Sequence, residues 1–266
     1  MNSDTVPVRF SRGQSRVSVR ELTGRDERAV ADTGTASVIA LLDALLVAEP
    51  GSTVPPPPTD ELVASDRDRL LVAIYRRSFG DRIENTLTCK RCGNRFDIDF
   101  SLDALANSLE HRHPRTPVVP IGENLFETSQ GLRFRLPIGR EELQFGRLPG
   151  DEAQQALRRC CIGEAAAEID DDALQTLLTE VAPLVDLDLD ARCPECQQVH
   201  ALQFDIQTYL LSALLGERRQ LTLEIHRLAT AYGWSLAEIL SLPRSERRHF
   251  VELIDQELSG HHRNPR

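Results

Sequence analysis

The sequence predicts an α+β fold: a split ribbon on two C-x-x-C knuckles, helices on either side, and a small α/β segment inserted between its halves. Three observations carry that expectation. "TLTCKRCGNRFDIDF" (86–100) and "VDLDLDARCPECQQVHALQFDI" (185–206) each set a C-x-x-C between runs of alternating polar and apolar residues, the period of a half-buried strand. Both runs lead into helical patterns, "SLDAL" after the first and "QTYLLSAL" after the second. The 100 residues separating the knuckles (93–192) carry strand and helix signals of their own, so they form a segment within the ribbon rather than a long loop.

The elements follow in order. Residues 1–50 form a strand and helix segment. Val8, Phe10, Val17 and Val19 alternate as one or two short strands, and "DERAVADTGTASVIALLDALLVAE" reads as one helix with Val38, Ile39, Leu41, Leu42, Leu45 and Leu46 on its apolar face. "GSTVPPPPTD" (51–60) cannot continue a helix and reads as an extended linker. Residues 61–102 give a helix and the first knuckle. The helix has Thr59 or Asp60 as cap, Gly80 as stop, and Leu70, Leu71, Ile74 and Tyr75 toward the core. The inserted segment, 103–184, contains a hairpin over 114–137 and helices in "GREELQFGRLPGDEAQQALRRCC" and "DDDALQTLLTEVAPL". Residues 185–206 hold the second knuckle. Residues 207–258 are helical, with a stripe from Leu210 to Tyr232, a capping box at Ser235 and Glu238, and Pro243 in a first turn. Residues 259–266 read as a disordered tail. Phe96-Asp97-Ile98 and Phe204-Asp205-Ile206 suggest that the two knuckle units are an internal repeat.

Composition narrows the chemistry. Net charge is −10, which argues against general nucleic-acid binding, because phosphate neutralisation needs basic surface. No apolar run is long enough to span a bilayer, and "MNSDTVPVRFSRGQ" lacks the apolar core of a secretory signal, so the expected setting is cytoplasmic, without membrane. In that reducing setting, paired cysteines point to metal rather than disulfides. Cys89, Cys92, Cys193 and Cys196 are therefore expected to hold one structural Zn2+ per chain. Four thiolates satisfy its tetrahedron and leave no position for a reacting water. Gly93 permits a left-handed knuckle, Pro194 sets the second turn, and Gln197 stands where a glycine is expected. Lys90, Arg91, Arg95 and Arg192 offset the cluster's negative charge. His200 reads as a surface strand residue, with ligation as the alternative. Cys160 and Cys161 lie in a helix without a histidine base, and Asp97, Asp99, Asp186, Asp188 and Asp190 as the wet face of strands. No phosphate loop, dinucleotide fingerprint or nucleophile elbow is present, so the chain reads as a non-enzyme.

The succession "LLVAIYRRSFGDRIENTLTCKRCGNRFDIDFSL", "GLRFRLPIGREEL", "RCPECQQVHALQFDIQTYL" and "EIHRLATAYGWSLAEILSLPRSERRHFVELI" resembles the T-even-like baseplate hub assembly chaperone family of contractile phage tails and extracellular contractile injection systems. The resemblance covers about residues 16–258. It implies an assembly role with baseplate or hub proteins as partners, and no active-site residues. Tyr232 and Trp234, at a helix break, are the candidate partner-binding aromatics. The alternative reading is a zinc-ribbon DNA-binding regulator, with Arg244, Arg247 and Arg248 of a helix-turn-helix on phosphates.

Overall fold

A computed structural model describes residues 3–10, 15–49, 51–111, 117–163 and 169–262, with 260–262 as backbone only. Strands β1 (Ser3–Pro7), β2 (Arg16–Arg20) and β3 (Leu46–Val47) form an antiparallel sheet in that order. The single helix expected over 26–49 is instead two, α1 (Gly24–Ala29) and α2 (Thr35–Leu45). Asp32 breaks it: its Oδ1 accepts from the Gly34 amide and the Ser37 hydroxyl, a local turn that competes with helical bonding. Leu46 ends up in β3, paired with Val19. The proline run has no regular structure up to Thr59, which is buried and donates its hydroxyl to the Ile39 carbonyl and to Asp43. Thr59–Glu61 make a 3-10 turn, so neither Thr59 nor Asp60 caps the next helix. That helix, α3 (Ala64–Phe79), starts behind Val63 and ends at Gly80, whose φ of +93° only glycine adopts cheaply. Leu70, Leu71, Ile74 and Tyr75 are buried as expected.

Two similar units then carry the cysteines. In the first, β4 (Arg82–Thr88) pairs with β5 (Arg95–Ser101) and α4 (Leu102–Glu110) follows. Between the units lie the antiparallel sheet β6 (Val118–Gly122), β7 (Leu125–Thr128) and β8 (Arg133–Phe134), and the helices α5 (Gly139–Phe145), α6 (Gly150–Ile162) and α7 (Asp171–Val181). The first helix expected there splits at Pro149, and residues 114–116 of the expected hairpin lie outside the described residues. In the second unit, β9 (Asp186–Arg192) pairs with β10 (Val199–Asp205) and α8 (Ile206–Gly216) follows.

Both hairpins pair seven residues on each side across a six-residue loop, and a constant offset of 104 residues superimposes them. The repeat is therefore real, but its register differs from the Phe-Asp-Ile match. Phe96 corresponds to His200 and Phe100 to Phe204. The tripeptides coincide only because an alternating strand offers phenylalanine and aspartate at several equivalent positions.

The chain closes with α9 (Arg218–Tyr232), α10 (Leu236–Ser241), capped by Ser235 and Glu238 as expected, and α11 (Arg244–His262). α11 continues into the segment expected to be a disordered tail. Its backbone is helical to His262, since one glycine costs about 1 kcal/mol and does not stop a helix already established. Residues 263–266 lie outside the described residues.

The main core joins the N-terminal sheet, α2, α3, α4 and α8, around Leu42, Leu45, Leu70, Leu71, Leu102, Ile206 and Leu210. A second core under β7, β8, α6 and α7 is built on Phe126, Phe134, Leu136, Ile162 and Leu174.

Candidate metal centre

Each knuckle is the loop of a hairpin, and the two loops are closed by the same bonds. The Cys89 amide donates to the Asn94 carbonyl (2.8 Å) and the Gly93 amide to the Cys89 carbonyl (2.9 Å). In the second loop the Cys193 amide donates to Gln198 (2.9 Å) and the Gln197 amide to Cys193 (3.0 Å). The turn demands a left-handed residue directly after the second cysteine, the fifth position of each loop: Gly93 has φ +76° and Gln197 φ +60°. Glutamine tolerates it with help from its own side chain, whose Nε2 donates to the Pro194 carbonyl at 3.0 Å.

The hairpins pack so that all four sulfurs converge within 4.8 Å of one another. Cys89 Sγ lies 3.5 Å from Cys196 Sγ, and Cys92 Sγ lies 3.7 Å from Cys193 Sγ. These two pairs exchange under the 104-residue offset, as do Phe96 with His200, in ring contact at 5.9 Å, and Phe100 with Phe204, edge to face at 5.2 Å. A quasi-two-fold axis thus runs through the cluster. Four sulfurs about 2.3 Å from a central zinc would stand about 3.8 Å apart, so the cluster has the size of a tetrahedral thiolate site. All four thiols are free of disulfides.

The electrostatics fit a cation. Amides of Cys92 and Arg91 point at the Cys89 sulfur and, with His200 and Cys196, hold its pKa down to about 5. Cys92 accepts from Asn94, which lowers its pKa, but burial and the neighbouring thiols of Cys89, Cys196 and Cys193 push it up to about 12. The Cys89 sulfur is thus ionised at the expense of Cys92, an imbalance that a dication beside both would relieve. Lys90, Arg91, Arg95 and Arg192 are exposed around the knuckles.

His200 is more than a surface strand residue. It is half-buried, and its Nε2 lies 3.3 Å from Cys89 Sγ, beside the four sulfurs rather than among them. The signal was in the sequence: His200 shares the period-two face of Leu202 and Phe204. The aspartates at 97, 99, 186, 188 and 190 are exposed, as the alternation implies. Cys161 is buried in the second core, while Cys160 meets the Arg135 guanidinium at 2.9 Å.

The other residues singled out lie in the C-terminal helices. Tyr232 stacks on Trp234 (4.8 Å between ring centroids), and Trp234 meets the edge of Phe250 in α11 at 5.0 Å. Trp234 thus pins α11 to the break between α9 and α10, while Tyr232 stays exposed. Arg244 and Arg247 are not presented to phosphates. Both are buried, Arg244 on Glu27 (2.9 Å) and Glu217, Arg247 on Glu27 and Glu224 (2.6 Å each). Arg248 pairs with Glu217 at 2.9 Å. The helix-turn-helix reading loses two of its three cations to the interior. Sequence reasoning missed this network because its carboxylates lie up to 220 residues away.

Fold and site together describe a mixed α/β protein organised around a four-cysteine cluster able to hold a metal. The chain belongs to the T4 bacteriophage base plate protein family, whose model matches residues 6–162, a span that includes the first knuckle and stops before the second. No curated protein and no solved structure matches the chain. Among the described residues no helix is long and apolar enough to cross a membrane.

Proposed function

We propose that this protein assists assembly of the baseplate or hub of a contractile, phage-tail-like machine, in the manner of a chaperone or minor component. It would act in the cytoplasm through protein–protein contacts on a scaffold that one structural zinc holds together. The observation that carries this reading is the family match over residues 6–162. The cluster supports the scaffold half: four thiolates at tetrahedral spacing leave no position for water or substrate, the mark of a structural rather than a catalytic metal. Cys89, Cys92, Cys193 and Cys196 would hold the ion, and it would tie together two hairpins far apart in sequence. Tyr232 and its neighbours on the C-terminal helices are the candidate client surface.

The test is genetic. Deleting the gene should leave cells that make sheath and tube subunits but few complete particles. Wild-type protein should restore them, and a Cys193→Ser/Cys196→Ser variant should do so poorly. Normal yields of functional particles in the deletion strain would overturn the reading.

A further inference from the structure

Each ribbon hairpin has only two strands, so all four of these strands are edges. In the second hairpin the Cys193 amide donates to Gln198 at one end and the Ile206 amide to Val185 at the other. Bonded and non-bonded pairs alternate along an antiparallel ladder, and both ends place His200, Leu202 and Phe204 in the pairs bonded to β9. Val199, Ala201 and Gln203 therefore turn their amides and carbonyls outward. Among the described residues only the Gln198 side chain reaches one of these groups, the Val199 carbonyl at 3.1 Å. The same parity puts Asp186, Asp188, Asp190 and Arg192 on the free edge of β9, Arg95, Asp97 and Asp99 on β5, and Arg82 and Glu84 on β4. Charges of that kind guard an edge against a further strand. β10 carries valine, alanine and glutamine at these positions, all exposed, and Asp205 beyond them is engaged in capping α8.

The first knuckle stands beside this unguarded edge. Leu87, Lys90 and Arg91 on one side, with Val199 and Ala201 on the other, line a crevice of about 500 Å3. Lys90 is the single lysine in the sequence, and neither it nor Arg91 has an ion-pair partner among the described residues. Offsetting the thiolate charge needs only proximity and leaves their hydrogen-bond donors free. The 104-residue step takes Lys90 to Pro194 and Arg91 to Glu195, and Val199 back to Arg95. Only one of the two equivalent junctions thus joins an uncharged edge to unpaired cations.

We infer that β10 accepts an extended, acidic segment of a partner protein as a third strand. The segment's main chain would bond to the outward amides and carbonyls of Val199, Ala201 and Gln203, which supplies affinity without regard to sequence. Its aspartate or glutamate side chains would meet Lys90 and Arg91, which supplies the choice of segment. The inference stands on strand register and charge. It is independent of the assembly reading and of the Tyr232 surface, so each can fail without the other.

Fluorescence polarisation with the full-length protein tests it, using labelled octapeptides that alternate valine with glutamate or valine with lysine. The acidic peptide should bind saturably and about tenfold tighter than the basic one, the worth of two exposed ion pairs set against two repulsions. Lys90→Glu/Arg91→Glu should reverse that preference. Two further acidic peptides, one N-methylated on every valine and one on every glutamate, each lack the amides of one edge, and at least one of them should lose binding. Ala201→Pro removes an outward amide that β9 does not use and should abolish binding with the circular dichroism spectrum unchanged. If that variant misfolds, the methylated peptides decide. Carbodiimide coupling should join the bound acidic peptide to Lys90. No binding, equal binding of acidic and basic peptides, a preference indifferent to the charge reversal, or full binding by both methylated peptides would overturn the inference. Binding of oligo(dT), lost on the charge reversal, where no acidic peptide binds would assign the two cations to phosphate and overturn the strand assignment.

Discussion

Arg247 is the place to break the molecule. Its guanidinium is fully buried between Glu27 and Glu224, at 2.6 Å from each. Replacing it by Met fills much of the volume but strands charge. Glu27 keeps Arg244 at 2.9 Å, whereas Glu224 is left only with the partly exposed Arg248, whose Nε is 3.7 Å away. Losing one partner of a buried ion pair costs about 3–5 kcal/mol, mostly through the uncompensated charge left behind. At about 2–4 °C per kcal/mol for a chain near this size, the melting temperature should fall by roughly 6–20 °C. Guanidinium chloride titration followed by far-UV circular dichroism reads the free energy directly. The double variant Arg247→Met/Glu224→Leu removes the stranded charge and should recover about 2 kcal/mol of the loss. A single variant within 1 kcal/mol of wild type, or a double variant less stable than the single, would refute the claim that this network fastens α9 and α11 to α1.

Three further outcomes are expected. Gln197→Gly should raise stability by about 1 kcal/mol by relieving the left-handed knuckle position, without changing metal content, as denaturant midpoint and elemental analysis would report. Purified protein should carry about one zinc per chain, and Cys89→Ser should lose both the zinc and several kcal/mol of stability, because structural zinc binding is itself folding free energy. Asp68 accepts from the Val185 amide at 2.8 Å, and burial pushes its carboxyl up to about 7. A raised carboxyl favours the folded state fully below its unfolded value and loses that contribution as pH rises through about 7. The stability of Asp68→Asn relative to wild type should therefore climb by up to ~1.4 kcal/mol per pH unit from pH 5 to 7 and then level off, and a flat difference would refute it.

What could be read from the chain alone depended on the range of the interaction. The knuckles were legible because their signals are local: two cysteines three positions apart, a glycine that a left-handed turn requires, and strands that alternate. The α3 stop at Gly80 and the capping box at Ser235 and Glu238 were legible for the same reason. The break between α1 and α2 depends on Asp32 choosing Gly34 and Ser37 over solvent, a competition that residue patterns alone do not decide. Arginines 244, 247 and 248 looked like a basic patch because their partners are three carboxylates remote in sequence. His200 looked exposed because only the opposing hairpin, with Cys89 and Phe96, covers it.

The same long separation bears on how the chain is made. Glu27 emerges from the ribosome 217 residues before Arg244 and 220 before Arg247. At synthesis rates of about 5–20 residues per second, it waits roughly 10–45 s for the two cations that let it be buried. Leu22 waits as long for the Arg244 amide that its carbonyl accepts at 2.8 Å. The N-terminal region therefore cannot close on itself during translation, and a chain that stops short of Arg244 keeps an uncompensated carboxylate where its interior should be. Translation of α11 is thereby built into the fold as a condition of maturity: only a chain carried through Arg247 can seal α1.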